Sequence, residues 1–256
     1  MKRFPILRGD LLHWKKVGRA FFFAVLVGIL CMMCIYDWYY YVLKGEQEAV
    51  APFVLGNTVI GWFFPIEMSV AAAYPVYMYC SEWKNGFWKP VVERVGKKCY
   101  LQEKPVACFL QGMLIYFIGK LLEVLILVVT AKICGAPIVN LESGGICPWK
   151  EHPIFYMILA SFSISMAAGF WSSLAFLLAS WQMDLFIAII IPLTGYVCLT
   201  YLLPWDLVNI AALKAFPDSV WMSFGYSVLL FGILSLGCIV LSRRLLARRM
   251  ENEHVA

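Results

Sequence analysis

Residues 106–131 read VACFLQGMLIYFIGKLLEVLILVVTA, an apolar run interrupted by Gln111, Lys120 and Glu123. As an α-helix it extends about 39 Å at ~1.5 Å per residue, more than the roughly 30 Å of hydrocarbon in a bilayer. Five further stretches have the same character: 20–42, 58–80, 154–179, 185–203 and 219–241. Ser180-Trp181-Gln182-Met183-Asp184 is all that separates the fourth stretch from the fifth, which predicts a tight hairpin there. The expected fold is all-α, a polytopic membrane protein of six transmembrane helices in a single domain spanning 1–256.

Composition agrees. The 256 residues are 62% hydrophobic and 14% charged, against about 25% charged in ordinary soluble domains. No core of this size hides so much apolar surface from water, so lipid is the expected solvent for most of the chain. The polar N-terminal stretch lacks a small-residue cleavage site after the apolar run, so helix 1 reads as a retained anchor.

Basic residues orient the spans. With the N-terminus in the cytoplasm, sixteen Lys and Arg fall inside and four outside (Lys44, Lys132, Lys150 and Lys214), with Lys120 within the membrane. Both termini are therefore expected inside. The net charge of +5 is then a topology signal and gives no reason to expect nucleic-acid binding. Trp38, Tyr39, Tyr40 and Tyr41 form an aromatic belt at the outer end of helix 1.

Two cytoplasmic segments have helical patterning. Phe4, Leu7, Leu11 and Trp14 recur at helical spacing within 1–19, which predicts an amphipathic helix lying in the interface. In the loop 81–104, Phe87, Val91 and Val95 repeat every fourth residue, Gly96 is placed as a helix stop, and Pro105 is placed to open helix 3. A short amphipathic helix there suits docking to a soluble partner. The apolar outer segment 204–217 is too short to span; it either re-enters the outer leaflet or caps the bundle.

The chemistry-bearing residues argue against an enzyme. The three histidines, His13, His152 and His254, lie at or beyond helix ends, so no metal or haem site can be built from them at membrane depth. Gly96-Lys97-Lys98 and Gly119-Lys120 lack the glycine and hydroxyl of a phosphate-binding loop, so the chain binds no ATP by that route. Most cysteines sit in apolar runs as small hydrophobes. Cys134 and Cys147 flank one outer loop and could bridge in an oxidising compartment.

Charges inside the spans are the candidate functional residues. Lys120 and Glu123, at i and i+3, can meet on one helix face. They are either a neutralising structural pair, the favoured reading, or a polar lining or latch. Glu67, with no basic residue in its own helix, is protonated, hydrogen-bonded to a neighbouring helix, or faces a water-filled cavity. Ser161, Ser165, Gly169 and Ser173 recur every fourth residue and mark a close-packing face on helix 4. Pro65, Pro75 and Pro192 predict kinks.

Together these features resemble the permease subunit of ABC exporters of the type-two class, over nearly the whole length. The most specific piece runs from Ser81-Glu82-Trp83-Lys84-Asn85-Gly86-Phe87 through Arg94-Val95-Gly96-Lys97-Lys98-Cys99-Tyr100 to Lys104. Glu82 and Gly86 stand where such permeases carry an acid and a glycine before the coupling helix. Phe87 replaces a frequent threonine, and Gly96-Lys97 a commoner Ser-Arg. The resemblance implies two permease subunits, identical or related, around a central pathway in the lipid bilayer. It also implies a separate cytoplasmic ABC ATPase that carries ATP and magnesium, with no cofactor on this chain. Glu82, Gly86, Phe87, Trp88, Val91 and Arg94 are then the ATPase-docking residues. The small size resembles permeases that protect bacteria from lantibiotics or expel other amphiphiles. A secondary transporter or a membrane scaffold is the alternative.

Overall fold

The computed structural model describes residues 5–12, 14–34, 64–135, 153–184 and 219–255, with a few isolated positions between 186 and 213. The described residues are helical apart from short turns, with no strand among them. In chain order the helices are α1 (Pro5–Leu12), α2 (Trp14–Cys34), α3 (Phe64–Lys84), α4 (Trp88–Val95), α5 (Lys97–Cys134), α6 (Pro153–Trp181) and α7 (Val220–Val255).

Among the described residues three stretches are long and apolar enough to cross a membrane: Lys97–Ile133, Ile154–Trp181 and Val220–Asn252. The chain is thus a helical protein of membrane-spanning character. The apolar part of α2, Gly18–Met33, is shorter. The expected span 185–203, the segment 204–217, Pro192, the belt at Trp38–Tyr41, and the Cys134 side chain with Cys147 lie outside the described residues.

The central helix is α6. Its apolar window is 72% buried, against 28% for α7, as expected of a helix without a single charged side chain. Close approach to it depends on small residues. A side chain at Gly112 of α5 would collide with Ser172 of α6, and one at Gly169 of α6 would collide with Phe109 of α5. On the opposite side α2 crosses α5 where Gly119 meets Ala24 and Val27. Thus α5 is held between α2 and α6.

Helix boundaries correct the expected loop 81–104. Residues 81–84 complete α3, and α5 begins at Lys97, so Pro105 lies inside α5 and does not open it. At 38 residues α5 is about 57 Å long at ~1.5 Å per residue, well beyond a bilayer's apolar thickness. Its first turns, α1, α4 and the later turns of α3, α6 and α7 share one core, with Ile6, Tyr79, Trp83, Trp88, Tyr100, Phe176, Leu246 and Met250 buried in it. Along α1 the inward positions are Ile6 and Asp10, while Pro5 and Gly9 face outward. Of the expected apolar stripe Leu11 is half-buried, while Phe4 and the side chains of Leu7 and Trp14 lie outside the described residues.

Candidate functional site

Two polar constellations stand out, one at the α4 end and one within the apolar layer. The first is built on Lys104 of α5. Its Nζ lies 2.9 Å from Asp10 Oδ2 of α1 and 2.6 Å from Glu82 Oε2 of α3. One ammonium thus ties three helices. Next to it, Ile6 N–H donates to Glu103 Oε2 at 2.8 Å, satisfying a backbone donor in the first turn of α1. Gln111 Nε2 donates to Asp10 O at 3.1 Å and Cys99 Sγ to Glu103 Oε1 at 2.9 Å.

The short helix α4 is suspended between two glycines. Gly86 has φ +70° and donates its N–H to Trp83 O, and Gly96 has φ +86° and donates to Val92 O. Both conformations are in the left-handed region that favours glycine. The reversal at Gly86 lays Trp88 on Trp83, with centroids 4.5 Å apart and planes within 7°. Arg249 from the end of α7 covers the Trp83 ring at 5.4 Å.

The six expected docking residues therefore divide. Trp88 is buried and Glu82 is bonded inward to Lys104. Phe87 is 63% exposed, Arg94 is exposed, and Val91 is half-buried. Val91 and Arg94 line a cavity of about 440 Å³ that Asp10, Glu82, Tyr100 and Lys104 also line. Sequence reasoning placed Lys104 in a basic stretch and missed Asp10, Glu103, Trp83 and Arg249. Only the i, i+4 spacing of Ile6 and Asp10 hinted that the acid faces inward.

The second constellation holds all three candidate intramembrane charges. Lys120 Nζ donates to Glu123 Oε2 at 2.8 Å, so the i, i+3 pair forms as the spacing predicts. Glu67 of α3 accepts from the Tyr116 hydroxyl of α5 at 2.8 Å, the neighbouring-helix option among its three readings. Tyr116 was not singled out in the sequence, although it stands one turn before Lys120. Cys31 of α2 packs against both carboxyl groups.

The small-residue face on α6 is real in part. Ser161, Ser165 and Ser173 are buried but donate to carbonyls of their own helix, at Met157, Ser161 and Gly169. The hydroxyls that cross between helices are others: Ser172 donates to Cys108 O at 2.8 Å, and Ser163 meets Ser227 at 2.7 Å. The described part of the α6 hairpin closes with Asp184 N–H on Gln182 O and Asp184 Oδ1 accepting from Phe186 N–H. Among the described residues no three His, Cys, Asp or Glu converge as metal ligands.

Comparison with protein-family models, curated proteins and solved structures gives no match.

Proposed function

We propose that this chain is the permease subunit of an ATP-driven exporter of the type-two ABC class. In this reading it crosses the bacterial cytoplasmic membrane six times, keeps both termini inside, and moves an amphiphilic peptide, drug or lipid. A second permease, the same chain or a related one, completes the pathway. A separate ATPase supplies ATP and magnesium chemistry.

The observation that carries the reading is α4. An eight-residue helix sits between two long helices, is flanked by Gly86 and Gly96, and is braced on one side by Trp88. Its other side presents Phe87, Lys89, Pro90, Glu93 and Arg94. A rigid element with one anchored and one exposed face suits transmission of movement from a bound soluble subunit. Phe87 and Arg94 are its contact residues. Glu82 and Trp88 act inward, passing displacement of α4 to α3 and, through Lys104, to α1 and α5.

The test is co-purification in mild detergent with identification of the soluble subunit by mass spectrometry. A Walker-motif ATPase is expected with the wild type and is lost on Phe87→Ala with Arg94→Ala. Glu82→Gln leaves the ATPase bound but breaks the link between hydrolysis and export. Reproducible absence of an ATPase from an intact complex overturns the proposal. A proton-coupled secondary transporter is the second reading, favoured by the intramembrane carboxyl groups. Export that survives ATP depletion and stops when the proton gradient is collapsed selects it.

A further inference from the structure

Lys120 and Glu123 stand at i and i+3 in the apolar part of α5, bonded to each other at 2.8 Å. Lys120 is 2% exposed and Glu123 is fully buried. Tyr116 stands one turn earlier on the same face, and Cys31 of α2 packs against Glu123. Both are fully buried. The close approach of Ala24 and Val27 to Gly119 draws α2 against α5 beside the pair.

The pair does not satisfy itself. An ammonium carries three donors, and among the described residues Lys120 Nζ uses one of them, on Glu123 Oε2. Glu123 Oε1 is buried with no hydrogen-bond partner among the described residues. Cys31 does not serve it, because a thiol is a weak donor and lies outside bonding geometry at that oxygen. Oε1 is left unpaired in either charge state of the carboxyl group. Spare donors and a spare oxygen therefore belong to one bonded pair, at a depth where unpaired polar groups are costly.

We infer that Lys120 and Glu123 bind a water molecule within the membrane. The water accepts from Lys120 Nζ and donates to Glu123 Oε1, closing a ring across the free edge of the ion pair. Its second proton goes to the Tyr116 hydroxyl oxygen, which donates to Glu67 and keeps lone pairs to accept. About three hydrogen bonds are the usual complement of a buried water. An apolar ligand would leave these groups unpaired, and a metal cation would meet the ammonium. A small neutral molecule that both donates and accepts answers both needs. With water attached, the pair can part without baring either charge to the apolar layer, whichever energy source drives the protein.

X-ray hydroxyl-radical footprinting of the full-length protein in lipid nanodiscs tests this, because radicals formed from bound water oxidise the side chain beside it. Tyr116 and Tyr156 are a matched pair, with the same chemistry and exposures of 0% and 2%. Tyr116 is expected to be oxidised several-fold faster than Tyr156. Lys120→Met combined with Glu123→Met should bring Tyr116 down to the rate of Tyr156. Exchanging a buried ion pair for apolar residues of similar volume is often neutral for folding. Equal rates in the wild type overturn the inference without reference to any variant. A fast Tyr116 that persists in the double variant puts the water on other groups and overturns the assignment to Lys120 and Glu123.

Discussion

Lys104 and Lys120 are both buried ammonium groups on α5 with two carboxyl groups nearby, yet they are wired differently. Lys104 touches both acids directly, and those acids come from α1 and α3. Lys120 is bonded to Glu123 of its own helix, and Glu67 is reached through Tyr116. The first arrangement is a fastener between helices. The second neutralises one helix and joins the next through a hydroxyl. Equal composition therefore gives a tie among three helices in one place and a pair within one helix in the other.

The sharpest way to break this comparison is to remove each lysine. Lys104→Met removes the cation that Asp10 and Glu82 share and takes away the tie among three helices. Losing one partner of a buried ion pair costs about 3–5 kcal/mol, and this is the largest effect expected here. Hydrogen exchange should show α1 losing protection while α6 keeps it. If α1 stays protected in Lys104→Met, the clamp is not what holds it.

The contrast was only partly legible in the sequence. Contacts set by local spacing were readable: the Lys120–Glu123 pair at i, i+3, the stop at Gly96, the turn at Ser180–Asp184. Contacts made by residues far apart were not. Nothing near Asp10 in the chain indicates that it meets Lys104, and the stacking of Trp88 on Trp83 depends on the reversal at Gly86. Pro105 misled because proline is favoured in the first turn of a helix, whereas here α5 continues through it from Lys97. The serine pattern on α6 indicated the buried side but not which hydroxyls cross it, since a buried serine can satisfy itself on its own helix.

Tyr116→Phe sharpens the comparison from the other side. It removes the hydrogen bond from α5 to Glu67 of α3 while leaving the volume nearly unchanged. A hydrogen bond to a carboxyl group buried at this depth is worth roughly 1–3 kcal/mol. The loss should appear in unfolding measured in mixed micelles, with α1 protection unaltered. Equal loss of α1 protection in Tyr116→Phe and Lys104→Met would mean that the two centres are one cooperative unit.

Glu103→Ala separates the clamp's charge from its backbone contact. Glu103 is not an ion-pair partner of Lys104, but it caps the Ile6 N–H of α1. Losing a helix-capping acceptor costs about 1 kcal/mol. Exchange should accelerate at the start of α1 alone, whereas Lys104→Met should release the whole helix. Identical exchange profiles for the two variants would remove the distinction between capping and clamping.

The smallest expected effect comes from a pair of serines on α6, and it tests whether crossing contacts matter more than local ones. Ser161 donates to Met157 O within its own helix, whereas Ser172 donates to Cys108 O on α5. Ser161→Ala removes a bond whose acceptor already serves the helix ladder, so its effect on stability should be close to zero. Ser172→Ala leaves the Gly112 approach intact but removes an interhelical hydrogen bond, a contribution averaging about 0.6 kcal/mol in membrane proteins. Side-by-side unfolding of the two variants decides the point. If Ser161→Ala is the more destabilising, the buried serines of α6 act by shaping their own helix, and the packing against α5 is governed by Gly112 and Gly169 alone.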